Sequence, residues 1–330
     1  MPSSSNVEVV YRASDFSVVA RQALERNPID SGVILPTLDK CLELDRAGQS
    51  PPDHWWIVIY SAPDRVALVI SCTEGYMGAY PIFIVNPNAI HYDDFVPCVH
   101  LSALTLQRHV PIERVYSIFG PIKITQLFSR MWTQLTGVQH EPQPYYDAKI
   151  SSLRWHEGLQ RSLTASEASI YEVGLAGPAD ILPIAKLCHA FASDSPPFTL
   201  TEEAALIEAK KLVSRRQIWT HKFNGRVVSI AAFTRNTRKV ATITKVFTDP
   251  GCRGHGCAER LVRQLCNSLL QDRGREAVVL FVGCDNSAAR VYRKVGFQGL
   301  DNIANGSAVD NVDRWLEVGF DRKKVTLGHW

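Results

Sequence analysis

The stretch Val246-Phe247-Thr248-Asp249-Pro250-Gly251-Cys252-Arg253-Gly254-His255-Gly256-Cys257-Ala258-Glu259-Arg260-Leu261 gathers residue types suited to holding a phosphorylated ligand. A strand-like run enters a turn with three glycines, and a helix-like run follows at once. Such a turn aims unpaired backbone N–H groups and the positive end of a helix at one point, which suits a phosphate or pyrophosphate. Gly254 and Gly256 have no Cβ to block close approach to the backbone. Arg253, Arg260 and Arg263 add positive charge. A Gly-x-x-x-x-Gly-Lys-Ser/Thr phosphate loop is excluded because no Lys-Ser/Thr follows the last glycine. A dinucleotide fingerprint fails on glycine spacing and on the antiparallel meander before the loop. For this segment alone two readings stay open: a cradle for an acyl-CoA pyrophosphate, and a glycine-rich strand-to-helix turn without a ligand.

The elements that must position this turn are legible from periodicity. A strand over Ser169–Val173 leads to a helix from Asp180 to Ala192. Thr199-Leu200-Thr201-Glu202 has capping-box spacing for a helix running to about Ser214. A meander follows: Ile218–Phe223, an Asn224-Gly225 turn, Val227–Thr234 and Lys239–Thr248. Asn-Gly between alternating strands is a strong hairpin signal. Beyond the glycines come a helix over Ala258–Leu270, an apolar strand Ala277–Val282 and a helix over Ser287–Lys294. Two strands near Phe297–Ile303 and Trp315–Phe320 are expected to close this half.

The first half reads as a helix after Asp15, which is placed to cap it, and a shorter helix opened by Pro36. The β-rich runs Trp55–Tyr60, Val66–Ile70 and Tyr80–Val85 follow, then a helix near Phe95–His109 and a strand at Arg114–Ile118. Gly120-Pro121 opens a helix from Ile122 to Leu135, which Gly137 ends, and a strand near Tyr145–Leu153 completes the half. Residues 156–169 are polar and aperiodic, a linker. At 330 residues the chain is long enough for two domains at roughly 100–200 residues each. Hydrophobic residues are 45% and charged residues 21%, ordinary globular usage, and the net charge of +3 argues against nucleic-acid binding as the main task. No apolar run is long enough to span a membrane, and no secretory signal is visible. The eight scattered cysteines lack any Cys-x-x-Cys pair, and free thiols in the cytoplasm are expected.

Asp285-Asn286-Ser287-Ala288-Ala289-Arg290-Val291-Tyr292-Arg293-Lys294-Val295-Gly296-Phe297 follows the apolar strand. Together with Arg253–Ala258, about 30 residues upstream, it resembles the GNAT superfamily of acyl-CoA N-acyltransferases: Arg-Gly-x-Gly-x-Ala, then Asn-x-x-Ala-x-x-Tyr-x-x-x-Gly-Phe. Asp15-Phe16, Trp55-Trp56 and Phe119-Gly120-Pro121 look, more loosely, like the first half of two-domain GNAT proteins. The resemblance implies an α/β (α+β) fold of tandem GNAT-like domains, each a mixed, mostly antiparallel sheet flanked by helices. Residues 1–155 form a degenerate domain without a glycine loop, 156–168 a linker and 169–330 the catalytic domain. It further implies that the amides of Arg253, Gly254, His255, Gly256, Cys257 and Ala258 cradle the pyrophosphate of acetyl-CoA or another acyl-CoA. Val246, Phe247 and Thr248 would pair with pantetheine, Asn286 would contact it, and the Tyr292 hydroxyl would protonate the leaving thiolate. Gly251 stands where the family usually has Gln or Arg, so one side-chain contact to the cofactor is missing.

The implied reaction is direct attack by the amine of a small molecule on the thioester. Two other classes remain: an aminoacyl-tRNA-dependent transferase of tandem GNAT fold, and a non-catalytic CoA-binding or interaction protein. The second is motivated by the missing base, since Val240–Val246 contains no carboxylate. His221, expected to be exposed, Asp285, and a water on Thr242 and Thr244 are the candidates. Cys252, His255 and Cys257 lack a fourth metal ligand at standard spacing, and no metal is expected. Tyr76-Met77-Gly78-Ala79-Tyr80 is a turn that could border a substrate cavity.

Overall fold

The structure, a computed structural model, describes residues 6–88, 92–160, 170–300 and 314–329. The chain divides into two compact units: Met1–Ala148 with Ala308–Trp330, and Lys149–Ser307. Most of the expected linker, residues 161–169, lies outside the described residues, as do 301–303 of the strand expected near Phe297–Ile303, whose described part forms an isolated bridge, Ser152↔Gln298, rather than a strand. Glu157–Gln160 forms a single 3-10 turn.

The first unit begins with β1 (Asn6–Val10), α1 (Val18–Arg26) and α2 (Leu35–Arg46). The cap of α1 is Ser17, whose hydroxyl accepts from Ala20 N at 3.1 Å, while Asp15 ends a separate 3-10 turn. The next strands are β2 (Trp55–Ala62), β3 (Arg65–Cys72), the two-residue pair β4 (Glu74–Gly75) and β5 (Gly78–Ala79), and β6 (Ile82–Val85). Then come α3 (Tyr92–His109), β7 (Ser117–Pro121), α4 (Ile122–Thr136) and β8 (Tyr146–Leu153), which straddles the division. Gly137 ends α4 in the left-handed region at φ 72°, as its position after the last apolar repeat predicts. β1, β2, β3 and β6 pair antiparallel in that order, and β6 pairs parallel with β7. Helices α3 and α4 lay Phe95, Val99, Leu106, Phe128 and Trp132 against one face of this sheet.

The second unit repeats the plan. It holds β9 (Tyr171–Leu175), α5 (Ile181–Ser193), α6 (Glu202–Ser214), β10 (Ile218–Phe223), β11 (Arg226–Asn236), β12 (Val240–Thr248), α7 (Cys257–Asn267), β13 (Ala277–Gly283) and α8 (Ala289–Val295). β9 to β12 are antiparallel neighbours, and β12 is parallel to β13. The Asn224-Gly225 turn has both residues at positive φ, 48° and 74°, the requirement of a type I′ hairpin. Thr201 caps α6 by accepting from Ala204 N at 3.1 Å, two residues beyond the capping box expected at Thr199.

The last strand, β14 (Arg314–Gly319), corrects the expectation that it closes the second half. It pairs antiparallel with β7, from Trp315↔Pro121 to Gly319↔Ser117, and belongs to the first unit. Local alternation identifies a strand; it carries no information about which edge the strand completes.

Candidate functional site

The glycine turn lies between β12 and α7, and its shape follows from three local causes. Asp249 Oδ1 accepts from Gly251 N at 3.0 Å and its other oxygen meets Arg226 at 2.9 Å, so the chain turns over Pro250–Cys252 as a 3-10 turn. Gly254 and Gly256 then take φ of 82° and 73°, a region costly for residues with a Cβ. Gly256 is the N-cap of α7 and offers no side chain to its first turn. Among the described residues, the backbone N–H groups of Gly254, His255, Gly256, Cys257, Ala258 and Glu259 have no acceptor. Six donors in succession at a helix N-terminus, on a turn whose residues 253–256 are exposed, have the chemistry a polyanion would require.

The strand feeding the turn has a free edge. β12 pairs with β13 only from Val240↔Ala277 to Ile243↔Leu280, while its pairing with β11 continues to Thr248↔Ser229. Beyond Ile243, the side of β12 that faced β13 has no ladder partner among the described residues. Val246 packs toward the core beneath α7, Phe247 is buried, and the Thr248 hydroxyl meets Ser229 Oγ at 2.8 Å. A bulge marks the same place. Thr244 on β12 and Thr234 on β11 are the unpaired extra residues, and their hydroxyls meet at 3.0 Å.

The arginines divide by role. Arg253 is exposed, stacked over Phe247 at 5.4 Å and donating to Thr248 O at 3.3 Å, so its charge borders the turn. Arg260 donates to His255 O at 2.6 Å and to His221 Nε2 at 3.2 Å, and lies 4.3 Å over Tyr171. Arg263 is tied to the carbonyls of Gly158 and Lys294 and to Glu259, a structural clamp between α7 and α8. His255 Nδ1 bonds Arg253 O and the Cys257 thiol lies 3.8 Å from Cys252 O, so both turn to backbone.

Asn286 and Tyr292 follow β13. Asn286 Oδ1 caps its own turn by accepting from Ala288 N at 2.9 Å, while Asp285, a candidate base, is exposed. The amide nitrogen of Asn286 is left for other contacts. Tyr292 is packed in the core with Phe297 at 5.8 Å edge to face, and burial drives its phenol well above the usual range, so the hydroxyl stays protonated at neutral pH.

His221 overturns one expectation. It is fully buried rather than exposed, and burial first, then the Arg260 charge, lowers its pKa to about 4. Its Nε2 lone pair is taken by Arg260, and its Nδ1 has no partner among the described residues. It is not available to deprotonate an amine. The sequence missed the pair Lys245–Glu208, 2.6 Å apart between β12 and α6. No spacing rule links a strand residue to a helix residue 37 positions earlier. Of the Tyr76–Tyr80 turn, Met77, Gly78 and Ala79 line a cavity of about 470 Å³ in the first unit, beside Glu74 and Arg114.

Residues 184–297 match the acetyltransferase (GNAT) family. A glucosamine 6-phosphate N-acetyltransferase of Trypanosoma brucei brucei is 27% identical over 113 residues, covering 32% of this chain and 75% of that protein. Among solved structures, a Drosophila protein superposes with a TM-score of 0.61 at 11% identity, covering 95% of this chain and 97% of its own. A tandem GNAT protein from the clavulanic acid biosynthesis pathway gives 0.51 at 12% identity, with 95% and 98% covered. A GCN5-related N-acetyltransferase from Sphaerobacter thermophilus gives 0.51 at 14% identity, with 94% of each chain covered. At these identities the structural matches establish fold alone, and that fold is the tandem GNAT arrangement. Residues 184–297 thus form the part of the chain that matches the GNAT acetyltransferase family, within a chain whose whole fold is the tandem GNAT arrangement.

Proposed function

We propose that the second unit is an N-acyltransferase that takes its acyl group from an acyl-CoA, acetyl-CoA foremost, and delivers it to the amine of a small molecule. The observation that carries this reading is the run of six amide donors from Gly254 to Glu259 at the end of a strand with a free edge. When bound, the acyl-CoA supplies an activated thioester. The amides of Gly254–Ala258 would hold its pyrophosphate, with the Arg253 guanidinium beside them; the Arg253 amide, expected among the donors, is instead bonded to Pro250 O at 3.3 Å. The open edge at Val246, Phe247 and Thr248 would pair with the pantetheine arm, and the Asn286 amide nitrogen would contact it. Tyr292, kept protonated by burial, would return a proton to sulfur. The first unit lacks the equivalent: no glycine occurs between Val85 and Tyr92, which separate β6 from α3. Its role in this reading is scaffolding.

The Trypanosoma relative is named for an amino sugar phosphate, which favours a small acceptor. Among the described residues no helix is long and apolar enough to cross a membrane. The test is calorimetric titration with CoA and acetyl-CoA of the wild type and of Gly254→Glu/Gly256→Glu. The variant is expected to keep its circular dichroism and to bind about a hundredfold more weakly, because two carboxylates would occupy an anion cradle. Thiol release from acetyl-CoA with a panel of primary amines, glucosamine 6-phosphate included, then finds the acceptor. A folded wild type that binds neither nucleotide overturns the reading.

A further inference from the structure

We infer that Glu208 takes the proton of the acceptor amine and that Lys245 positions it; the inference rests on the acyltransferase reading above. β12 carries no carboxylate, so an acid that serves the thioester must reach it from another element. The bulge at Thr244 decides which side chains meet the helices. Ala241, Ile243 and Val246 pack into the core beneath α7, whereas Lys245 and Phe247 face α5 and α6. Without the extra residue, strict alternation would put Lys245 and Val246 on each other's sides. Lys245 thus lies two residues past the last β12–β13 pair, where the free edge of β12 begins.

At that point Lys245 Nζ donates to Glu208 Oε2 at 2.6 Å and lies 5.1 Å over the Phe191 ring, with Phe191 and Phe247 edge to face at 6.2 Å. The two charged side chains are only 10% and 12% exposed. An ion pair this shielded is weak evidence for a stabilising role, since two apolar side chains of similar volume would serve packing as well or better. Lys245 from β12 and Cys188 from α5 are ionisable groups packed against Glu208. The Cys188 thiol is fully buried, and that burial above all pushes it up to about 12, so it is neutral and does not compete as a base. Glu208 is therefore held over the face of β12 at Lys245, two residues past its last pair with β13, against one cation and one thiol.

The step balances simply. Glu208 accepts one proton from the acceptor ammonium and frees the nitrogen lone pair. The nitrogen–acyl carbon bond forms and the carbon–sulfur bond breaks. The second nitrogen proton is matched by the one delivered to sulfur, and Glu208 returns its own to water.

The experiment compares wild type, Glu208→Gln and Glu208→Gln/Lys245→Met in thiol release from acetyl-CoA with the amine panel, from about pH 6 to about pH 9. Glu208→Gln is expected to keep its acetyl-CoA affinity and to turn over about a hundredfold more slowly near neutral pH, the scale of a lost proton acceptor. Its deficit should shrink as pH rises and the amine sheds its own proton, and the double variant should not recover. A turnover close to wild type in Glu208→Gln would overturn the inference. So would recovery in the double variant, or a deficit equal at every pH, because both mark a packing role. A wild type that fails to bind acetyl-CoA is a different result, which removes the acyltransferase reading itself.

Discussion

A histidine read as an exposed base turns out to be a fully buried acceptor, and the difference has a measurable consequence. His221 takes a hydrogen bond from Arg260 and has its pKa lowered to about 4 by burial and by that guanidinium. Below pH 6.5 the unfolded chain binds a proton that the folded chain refuses. Stability from this site is therefore complete above pH 6.5 and is lost as pH falls toward 4. Between pH 7.5 and pH 5 the loss is about 2 kcal/mol. Urea unfolding of wild type and His221→Gln at both pH values checks this: the variant should lose that much less on acidification. Parallel pH dependence of the two would show that His221 does not carry the effect. At the same scale, Tyr292 shows the limit of a motif. Its type and spacing were legible, but only packing against Phe297 and the core explains why its proton is held.

Elements determine which backbone donors remain free. The turn before α7 presents six amides because Asp249 bends the chain, Gly254 and Gly256 take left-handed dihedrals, and α7 starts without a side-chain cap. At Gly256 a Cβ would sit 3.0 Å from Arg260 Nη1, the movable end of a side chain that itself folds over the turn. Gly256→Ala is expected to destabilise by about 1 kcal/mol and to weaken acetyl-CoA binding roughly tenfold, because the strained turn relaxes away from its donor geometry. Gly274→Ala is the control. It has a similar φ of 62° and open space around it, remote in sequence from the turn. It should cost similar stability and leave affinity unchanged. Equal losses of affinity in both variants would point to global softening instead. The hairpin at Asn224-Gly225 and the stop at Gly137 were readable beforehand because each depends on one or two residues. Both Asp15 and Ser17 have capping chemistry for α1, and only the 3-10 turn Ala13–Asp15 decides that Ser17 is the cap.

At the scale of the molecule, the chain builds one plan twice: four antiparallel strands, then a parallel neighbour, with helices between. Its last segment returns to complete the first copy. Trp315, Leu316, Val318 and Phe320 are buried there, Trp315 lies 5.2 Å from Phe119, and the buried Glu317 accepts from Ser117 Oγ at 2.7 Å. At about 2 kcal/mol for each buried apolar side chain, β14 contributes an amount comparable with the whole stability of an ordinary domain, about 5–15 kcal/mol. Deleting Ala308–Trp330 is therefore expected to leave the first unit without cooperative unfolding and open to trypsin. Limited proteolysis with mass spectrometry of the fragments reads this directly, and a melting temperature within about 2 °C of wild type would contradict it.

The sequence by itself determined the glycine turn proposed to hold the cofactor. The amide cradle and its strand are contiguous in the chain, their conformation depends on glycines and a helix start, and Asn286 and Tyr292 fall at a recognisable distance after them. It also determined that the chain would fold as two halves of similar order. The tertiary structure alone decided which half receives β14, why His221 cannot serve as a base, and that Glu208 is brought from α6 to Lys245 on β12. The reason is physical. Backbone turns and caps depend on neighbours a few residues apart. Edge pairing, burial and ion pairing depend on residues that the chain brings together from tens to hundreds of positions away.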